Sequence, residues 1–237
     1  MNEPPEVSIV IPIYNEEGLL HSSVVDLHDR LLAFNFEYEL LLVENGSTDN
    51  TVYVARELCQ KFPGIRLIQS PSANYGRALR TGILEARGRY VICDEIDLCD
   101  TDFYHEALDI LRRHAAVLVI GSKLIGGARD ARPFFRHATS HIYTALLRVL
   151  FDFRGTDTHG LKAFQREGLL SVVRACVVDK DVFASELVLR TYRAGLAVRE
   201  IPVHIAEKRP PSINLTRRVP AVLKNLAKLT WAIRMKG

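Results

Sequence analysis

The sequence predicts an α/β fold: a mainly parallel sheet with helices on both faces, followed by a C-terminal amphipathic helix. Three observations predict it. Short β-branched apolar runs alternate with longer amphipathic stretches over roughly the first 120 residues. The connections are short and rich in Gly, Asn and Asp. Polar clusters recur at the same place in each unit, just after the apolar run. Such alternation gives right-handed crossovers and a parallel sheet, in which ligands bind beyond the carboxyl ends of the strands.

The elements follow in order. "VSIVIPIY" (Val7 to Tyr14) is a buried strand, β-branched and unbroken by charge. Asn15 is placed to cap a helix that follows at once, with Glu16 and Glu17 in its first turn. "YELLLVEN" is a second strand, and "STDNTVYVARELCQKF" a second helix entered at Ser47 or Asp49. "GIRLIQS" and "RYVICDEI" are strands around the helix "NYGRALRTGILEA". "TDFYHEALDILRRH" is a helix capped by Asp100 or Thr101, and "AAVLVIGS" a fifth strand.

After Gly121 the rhythm changes. "KLIGGARDARP" reads as a loop and "FFRHATSHIYTALLRVLF" as a helix. "GTDTHGLKAFQRE" reads as a turn, a short strand and the start of a helix. A helix over "VFASELVLRTYRAG" stops at Gly195, a strand covers "LAVREIPVHIAE", and the prolines of "KRPPSINL" impose an extended loop. In the last segment Val219, Val222, Leu223, Leu226, Leu229 and Ile233 share one helical face.

The 237 residues, 48% hydrophobic, suffice for one sizeable core. The net charge of +3 is uninformative, but its distribution is not. No acid follows Glu207, whereas Lys208, Arg209, Arg217, Arg218, Lys224, Lys228, Arg234 and Lys236 do. That asymmetry predicts an anionic partner for the C-terminal helix, such as an anionic membrane surface, with packing on the sheet or on a sister chain as the alternative. Cys59, Cys93, Cys99 and Cys176 form no CxxC pair, so reduced thiols in a cytoplasmic protein are expected. The acidic start "MNEPPE" is neither a signal nor a transit peptide, and no apolar run approaches the ~20 residues of a membrane helix. No G-x-G-x-x-G follows the first strand, which argues against a dinucleotide enzyme. Nothing points to nucleic acid.

The stretch "RYVICDEIDLCD" ends an apolar run in Asp94, Glu95, Asp97 and Asp100. Clustered carboxylates repel unless a cation or hydrogen-bond donors neutralise them. Mg²⁺ or Mn²⁺ suits Glu95 and Asp97, because hard cations prefer carboxylate oxygens and share them with substrate phosphates. Asp100 fits the helix cap instead, and Asp94 is expected on the other side of the strand.

Taken together, "VSIVIPIYNEE", "LLLVENGSTDNT", "NYGRALRTGILEARGRYVICDEIDL", "GSKLIGG", "GTDTHGLKAFQRE" and "ELVLRTYRAGLAVREIPV" resemble glycosyltransferase family 2, in particular its dolichol-phosphate mannose synthase-like branch. The resemblance covers about Val7 to Leu215. It implies a GT-A type, Rossmann-like catalytic domain over 1–215, with a nucleotide-sugar half (1–121) and an acceptor half (122–215), leaving 216–237 as the basic amphipathic helix. It also implies that Pro12, Tyr14, Asn15 and Glu16 contact a nucleotide, together with Glu44, Asn45 and Ser47. The family's Asp-x-Asp metal motif falls on Glu95 and Asp97. Lys123, Arg136 and Ser140 match acceptor-phosphate positions, and Arg209 matches an arginine near the phosphates. Glu44, Glu95, Lys123 and Asn214 depart from the common pattern.

The implied activity is a metal-dependent, inverting transfer of a sugar from GDP-mannose or a UDP-hexose to a polyprenyl or dolichyl phosphate. The site would act at the cytoplasmic face of a membrane, with peripheral or partner-mediated contact. Two alternatives stay open. Transfer to a glycan hydroxyl would need a general base, for which Asp157 and Asp181 are candidates. A non-catalytic nucleotide- or partner-binding protein would fit the departures.

Overall fold

Residues Val7 to Ile13 form strand β1, and every one of them is buried. That is why the run shows no polar alternation: both faces of the strand are covered. The structure, a computed structural model, describes residues 4–70, 73–130, 134–179, 182–205 and 215–235. The side chains of 129, 130, 134–137, 205, 215–223 and 235 lie outside that description.

The elements run β1, α1 (Leu20–Leu31), β2 (Tyr38–Asn45), α2 (Thr51–Lys61), β3 (Ile65–Ser70), α3 (Tyr75–Glu85), β4 (Tyr90–Cys93), α4 (Thr101–Arg112) and β5 (Leu118–Ser122). The second half holds β6 (Arg129–Asp130), α5 (Phe134–Phe151), β7 (Lys162–Gln165), α6 (Arg166–Ala175), α7 (Phe183–Arg193), β8 (Val198–Pro202), β9 (His204–Ile205) and α8 (Leu215–Met235). Seven strands form one sheet in the order β3-β2-β1-β4-β7-β5-β8, and β6 pairs with β9 apart from it.

All neighbours in the main sheet are parallel except β7, which runs antiparallel to both β4 and β5. The two apolar clusters divide by face. Leu20, Leu27 and Leu31 of α1 join Ala55 and Leu58 of α2 and Phe103, Tyr104 and Leu108 of α4 on one side. Leu79 and Ile83 of α3, Leu169 and Val173 of α6, and Leu187 and Val188 of α7 cover the other. The mostly parallel sheet layered between helices is as the sequence predicts.

Two helix starts differ from expectation. Helix α1 begins at Leu20, and its cap position, Leu19, makes no side-chain cap. Asn15 instead takes a positive φ of 54° and turns its amide to the neighbouring loop, where its Oδ1 accepts from Thr48 N at 2.8 Å. Helix α2 begins at Thr51 rather than near Ser47, because Asp49 accepts bonds from the Thr51 amide and hydroxyl and from Glu17 N. The caps of α3 and α4 are as expected: Asn74 accepts from Arg77 N, and Asp100 from Phe103 N.

The C-terminal helix resolves one open alternative. Leu226, Leu229, Ala232 and Ile233 are buried in the second cluster, so this face of α8 packs on the domain. Among the described residues, no helix is long and apolar enough to cross a membrane.

Candidate active site

Strands β1, β2, β4, β5 and β8 all end at one edge of the sheet, and antiparallel β7 begins there. The polar loops collected at this edge therefore follow from topology. A cleft of about 450 Å³ opens at the β4–β7–β5 part of the edge. Asp94, Glu95 and Asp97 line it from the β4 side, Lys123 and Asp157 from the β5 side, and Ser140, Tyr143 and Thr144 from α5.

The acidic stretch owes its shape to Asp94. This residue lies just past the strand, is 2% exposed, and turns its carboxylate to α4. Its Oδ1 accepts from Glu95 N, and its Oδ2 accepts from Asp100 N at 3.1 Å and from the Tyr104 hydroxyl at 2.5 Å. Burial pushes the Asp94 carboxyl up to about 7, against the lowering effect of these three bonds. The turn so formed presents Glu95, which is exposed, and Asp97, which is half-buried, to the same cleft.

The two carboxylates fit a hard divalent cation that completes its shell with water and substrate oxygens. Among the described residues no cluster of three or more His, Cys, Asp or Glu forms a closed metal cage. An open pair of oxygen donors suits Mg²⁺ or Mn²⁺ better than Zn²⁺, which takes nitrogen and sulfur ligands readily.

The residues expected to contact a nucleotide stand at the ends of β1 and β2, on the same edge of the sheet. Pro12 is buried within β1, and Tyr14 just beyond it is 45% exposed. Asn15 N donates to Ser47 Oγ at 3.0 Å, and Glu16 N to Thr51 Oγ1 at 2.6 Å. Glu44, buried, accepts from Ser47 N. Asn45 accepts from the amide of Asn74, the cap of α3, whose first residue, Tyr75, lines the cleft. Asn15, Glu44, Asn45 and Ser47 thus tie the β1–α1, β2–α2 and β3–α3 connections into one surface.

On the β5 side, Lys123 Nζ lies 2.7 Å from Asp157 Oδ2, and both side chains are buried. Burial alone would push the Asp157 carboxyl up, but the Lys123 charge and bonds from Lys123 and His159 N hold it below its ordinary value. The loop carrying Asp157 is fixed from below: Glu200 of β8 accepts from both the amide and the hydroxyl of Thr156. Ser140 lines the cleft from α5, and Arg136 lies one turn before it in the same helix, with its side chain outside the description. Arg209 and Asp181 lie outside the described residues.

Three features were not anticipated. Asp94 turns its carboxylate to α4, on the other side of the strand as expected, but its bonds also shape the acidic turn, a role visible only once α4 supplies Tyr104. Lys123 is half of an ion pair. Lys162 opens β7 inside the cleft at 3% exposure, with burial lowering its affinity for a proton. The one sequence signal for it was a lysine within the apolar run "GLKAF".

The profile of glycosyl transferase family 2 matches residues 8–172. The glycosyltransferase AglD of Haloferax volcanii is 28% identical over 98% of the chain and 38% of its own length. A dolichyl-phosphate beta-glucosyltransferase of Drosophila melanogaster is 30% identical over 85% of the chain and 67% of its own length. The corresponding enzyme of Saccharomyces cerevisiae is 26% identical over 83% of the chain and 66% of its length. The chain therefore spans between about two fifths and two thirds of these curated relatives. In three dimensions, glucosyl-3-phosphoglycerate synthase of Mycobacterium tuberculosis, solved with Mn²⁺, uridine diphosphate and glucosyl-3-phosphoglycerate, superposes with a TM-score of 0.68. That match covers 95% of this chain and 80% of the other at 22% identity, and it supports the GT-A type fold.

Proposed function

The chain belongs to glycosyl transferase family 2, and from that premise we propose that it moves a hexosyl group from a nucleoside diphosphate sugar to a polyprenyl-type phosphate at a membrane surface. A UDP-hexose donor is favoured over GDP-mannose, because the named eukaryotic relatives are glucosyltransferases. One observation carries the reading. The oxygen pair of Glu95 and Asp97 and the polar side chains of Ser140, Tyr143 and Thr144 line one and the same cleft.

The chemistry follows from the groups present. Glu95 and Asp97 would hold Mg²⁺ or Mn²⁺ against the diphosphate, with Asp94 fixing their turn. A bound divalent ion supplies Lewis-acid stabilisation of the leaving nucleoside diphosphate. A phosphate acceptor is already ionised near pH 7, so its oxygen attacks the anomeric carbon without a general base, and attack opposite the leaving group inverts the centre.

The cleft's carboxylates favour this acceptor over a sugar hydroxyl. A hydroxyl needs a carboxylate ready to take its proton. Among the described residues, Asp157 is committed to Lys123 and Asp94 accepts three hydrogen bonds; Asp181, the other candidate base, lies outside them. Basal membrane contact is supported by α5 and α8. Ile142 and Val149 of α5 and Trp231 of α8 are exposed, as are the basic side chains of Lys224, Lys228 and Arg234 on α8.

The test is transfer of labelled glucose or mannose from UDP-glucose or GDP-mannose, with Mn²⁺, into an organic-extractable product on a short polyprenyl phosphate. Glu95→Gln and Asp97→Asn should each lower the rate by about 10²-fold or more, the scale for losing one preorganised electrostatic group. A folded wild-type protein that labels only a water-soluble acceptor would replace this reading with hydroxyl transfer.

A further inference from the structure

The cleft contains two buried lysines in different electrostatic situations. Lys123 has a carboxylate at 2.7 Å. Lys162 Nζ donates to the backbone oxygen of Gly160 at 2.7 Å, and no carboxylate of the described residues stands within ion-pair distance of it. An ammonium carries three donors, so two remain for a ligand. The carboxylates of Asp157 and Glu95 act on this charge only from beyond ion-pair distance, so its burial stays costly, and an anion arriving in the cleft would offset that cost.

Placement says which anion. Lys162 is Cα-paired with Cys93 at the end of β4, next to the turn that carries Glu95. On its other side it is paired with Ile120 of β5, the strand that leads into Lys123. It therefore stands between the acidic pair and the acceptor-side wall, where Ser140 and Tyr143 of α5 line the same cleft. A phosphomonoester has three terminal oxygens and high charge density, which suits a lysine as a point charge. Lys123, neutralised by Asp157, offers less.

We infer that Lys162 is a substrate-binding residue whose ammonium holds the phosphomonoester of the acceptor, between the Glu95–Asp97 turn and α5. The inference deepens the phosphate-acceptor reading and rests on it. It shifts the main cationic contact among the described residues from Lys123 to Lys162.

The experiment is calorimetric titration of the full chain, in Mn²⁺ buffer, with farnesyl phosphate, farnesol, inorganic phosphate and UDP. Lys162→Met should raise the Kd for farnesyl phosphate by about 10- to 100-fold, the range for a hydrogen-bonded charge contact. It should leave UDP and farnesol within about twofold, and Lys162→Arg should recover part of the loss. A parallel loss for inorganic phosphate shows that the headgroup, not the chain, is what Lys162 reads. The thermal midpoint of Lys162→Met should not fall, since a buried uncompensated charge is removed. Lys162→Gln serves as the neutral variant should Met not fold.

An unchanged Kd for farnesyl phosphate overturns the inference. So does a loss that falls on UDP, which would assign Lys162 to the donor, and so does a wild type that binds neither phosphate. Binding that depends on Lys162 without any sugar transfer would instead overturn the proposed function and leave this inference standing.

Discussion

Lys123 and Asp157 meet at 2.7 Å with side chains 8% and 5% exposed, and the stability of this wall of the cleft hangs on both being present. Asp157→Asn would leave a buried ammonium alone and should cost about 3–5 kcal/mol, whereas replacing both residues with Asn and Met should restore much of it. Denaturant unfolding of the two single variants and the double variant measures this. The pH dependence has a definite sign. The Asp157 carboxyl sits below its ordinary 3.8 in the folded state, so the unfolded chain binds the proton more tightly. Its contribution is present above 3.8 and is lost as pH falls through the lower folded value. The gap between wild type and Asp157→Asn should therefore narrow in acid below about pH 4. Much of this site was legible residue by residue: acids at a strand end, a lysine after "GS", a serine one turn from an arginine. The pairing of Lys123 was not, because the partner is 34 positions away and only the β5–β7 register brings it near. The part Asp94 plays in the turn was hidden for a similar reason, since its partner Tyr104 lies ten positions on.

At the scale of elements, periodicity reported the strands and helices of the main sheet well, because burial on two faces or one stripe leaves its mark on sequence; it missed β6, inside the predicted loop, and the break that sends β9 to a second sheet. Order in the sheet was less visible. The four residues of β7 slot antiparallel between β4 and β5, a choice made by the space between those strands rather than by any local pattern. The starts of α1 and α2 were hidden because Asn15 and Asp49, good caps by composition, make their bonds across loops. Gly160 shows how tightly β7 is fitted. A Cβ there would lie 1.8 Å from the Gly121 carbonyl oxygen, a backbone atom with no rotamer to yield. Gly160→Ala should push the start of β7, and Lys162 with it, off β5 at a cost of about 1–3 kcal/mol or more. Gly126→Ala, where a Cβ meets nothing within 4 Å, is the control and should stay close to wild type. Equal midpoints for the two variants in thermal unfolding would mean that β5 and β7 are not packed as closely as described here.

For the whole molecule, the proposed acceptor, a polyprenyl-type phosphate, would have to reach the cleft from a bilayer, and no helix among the described residues is long and apolar enough to cross one. One face of α5 lines the cleft with Ser140, Tyr143 and Thr144, while Ile142 and Val149 of the same helix are 61% and 82% exposed. Leu146, Leu150, Leu226 and Trp231 continue that surface onto α8, around an apolar groove of about 540 Å³. Exposed Lys224, Lys228 and Arg234 accompany it. An apolar surface with a tryptophan and basic neighbours matches the anionic face of a bilayer, where each such charge contributes about 1 kcal/mol. Because α8 buries Leu229 and Ile233 in the domain, a contact with lipid would fall to its outward residues and not to the helix's whole apolar stripe. The chain's single tryptophan is Trp231, so its emission reports on this surface alone. With vesicles containing phosphatidylserine the emission should shift to the blue, and added salt should reverse the shift as the charges are screened. Replacing Lys224 and Lys228 with Gln should weaken vesicle binding by about 30-fold, from the loss of two such contributions. Emission that ignores anionic and neutral vesicles alike, from protein that still transfers sugar to a short polyprenyl phosphate, would show that the acceptor reaches the cleft without this face touching lipid.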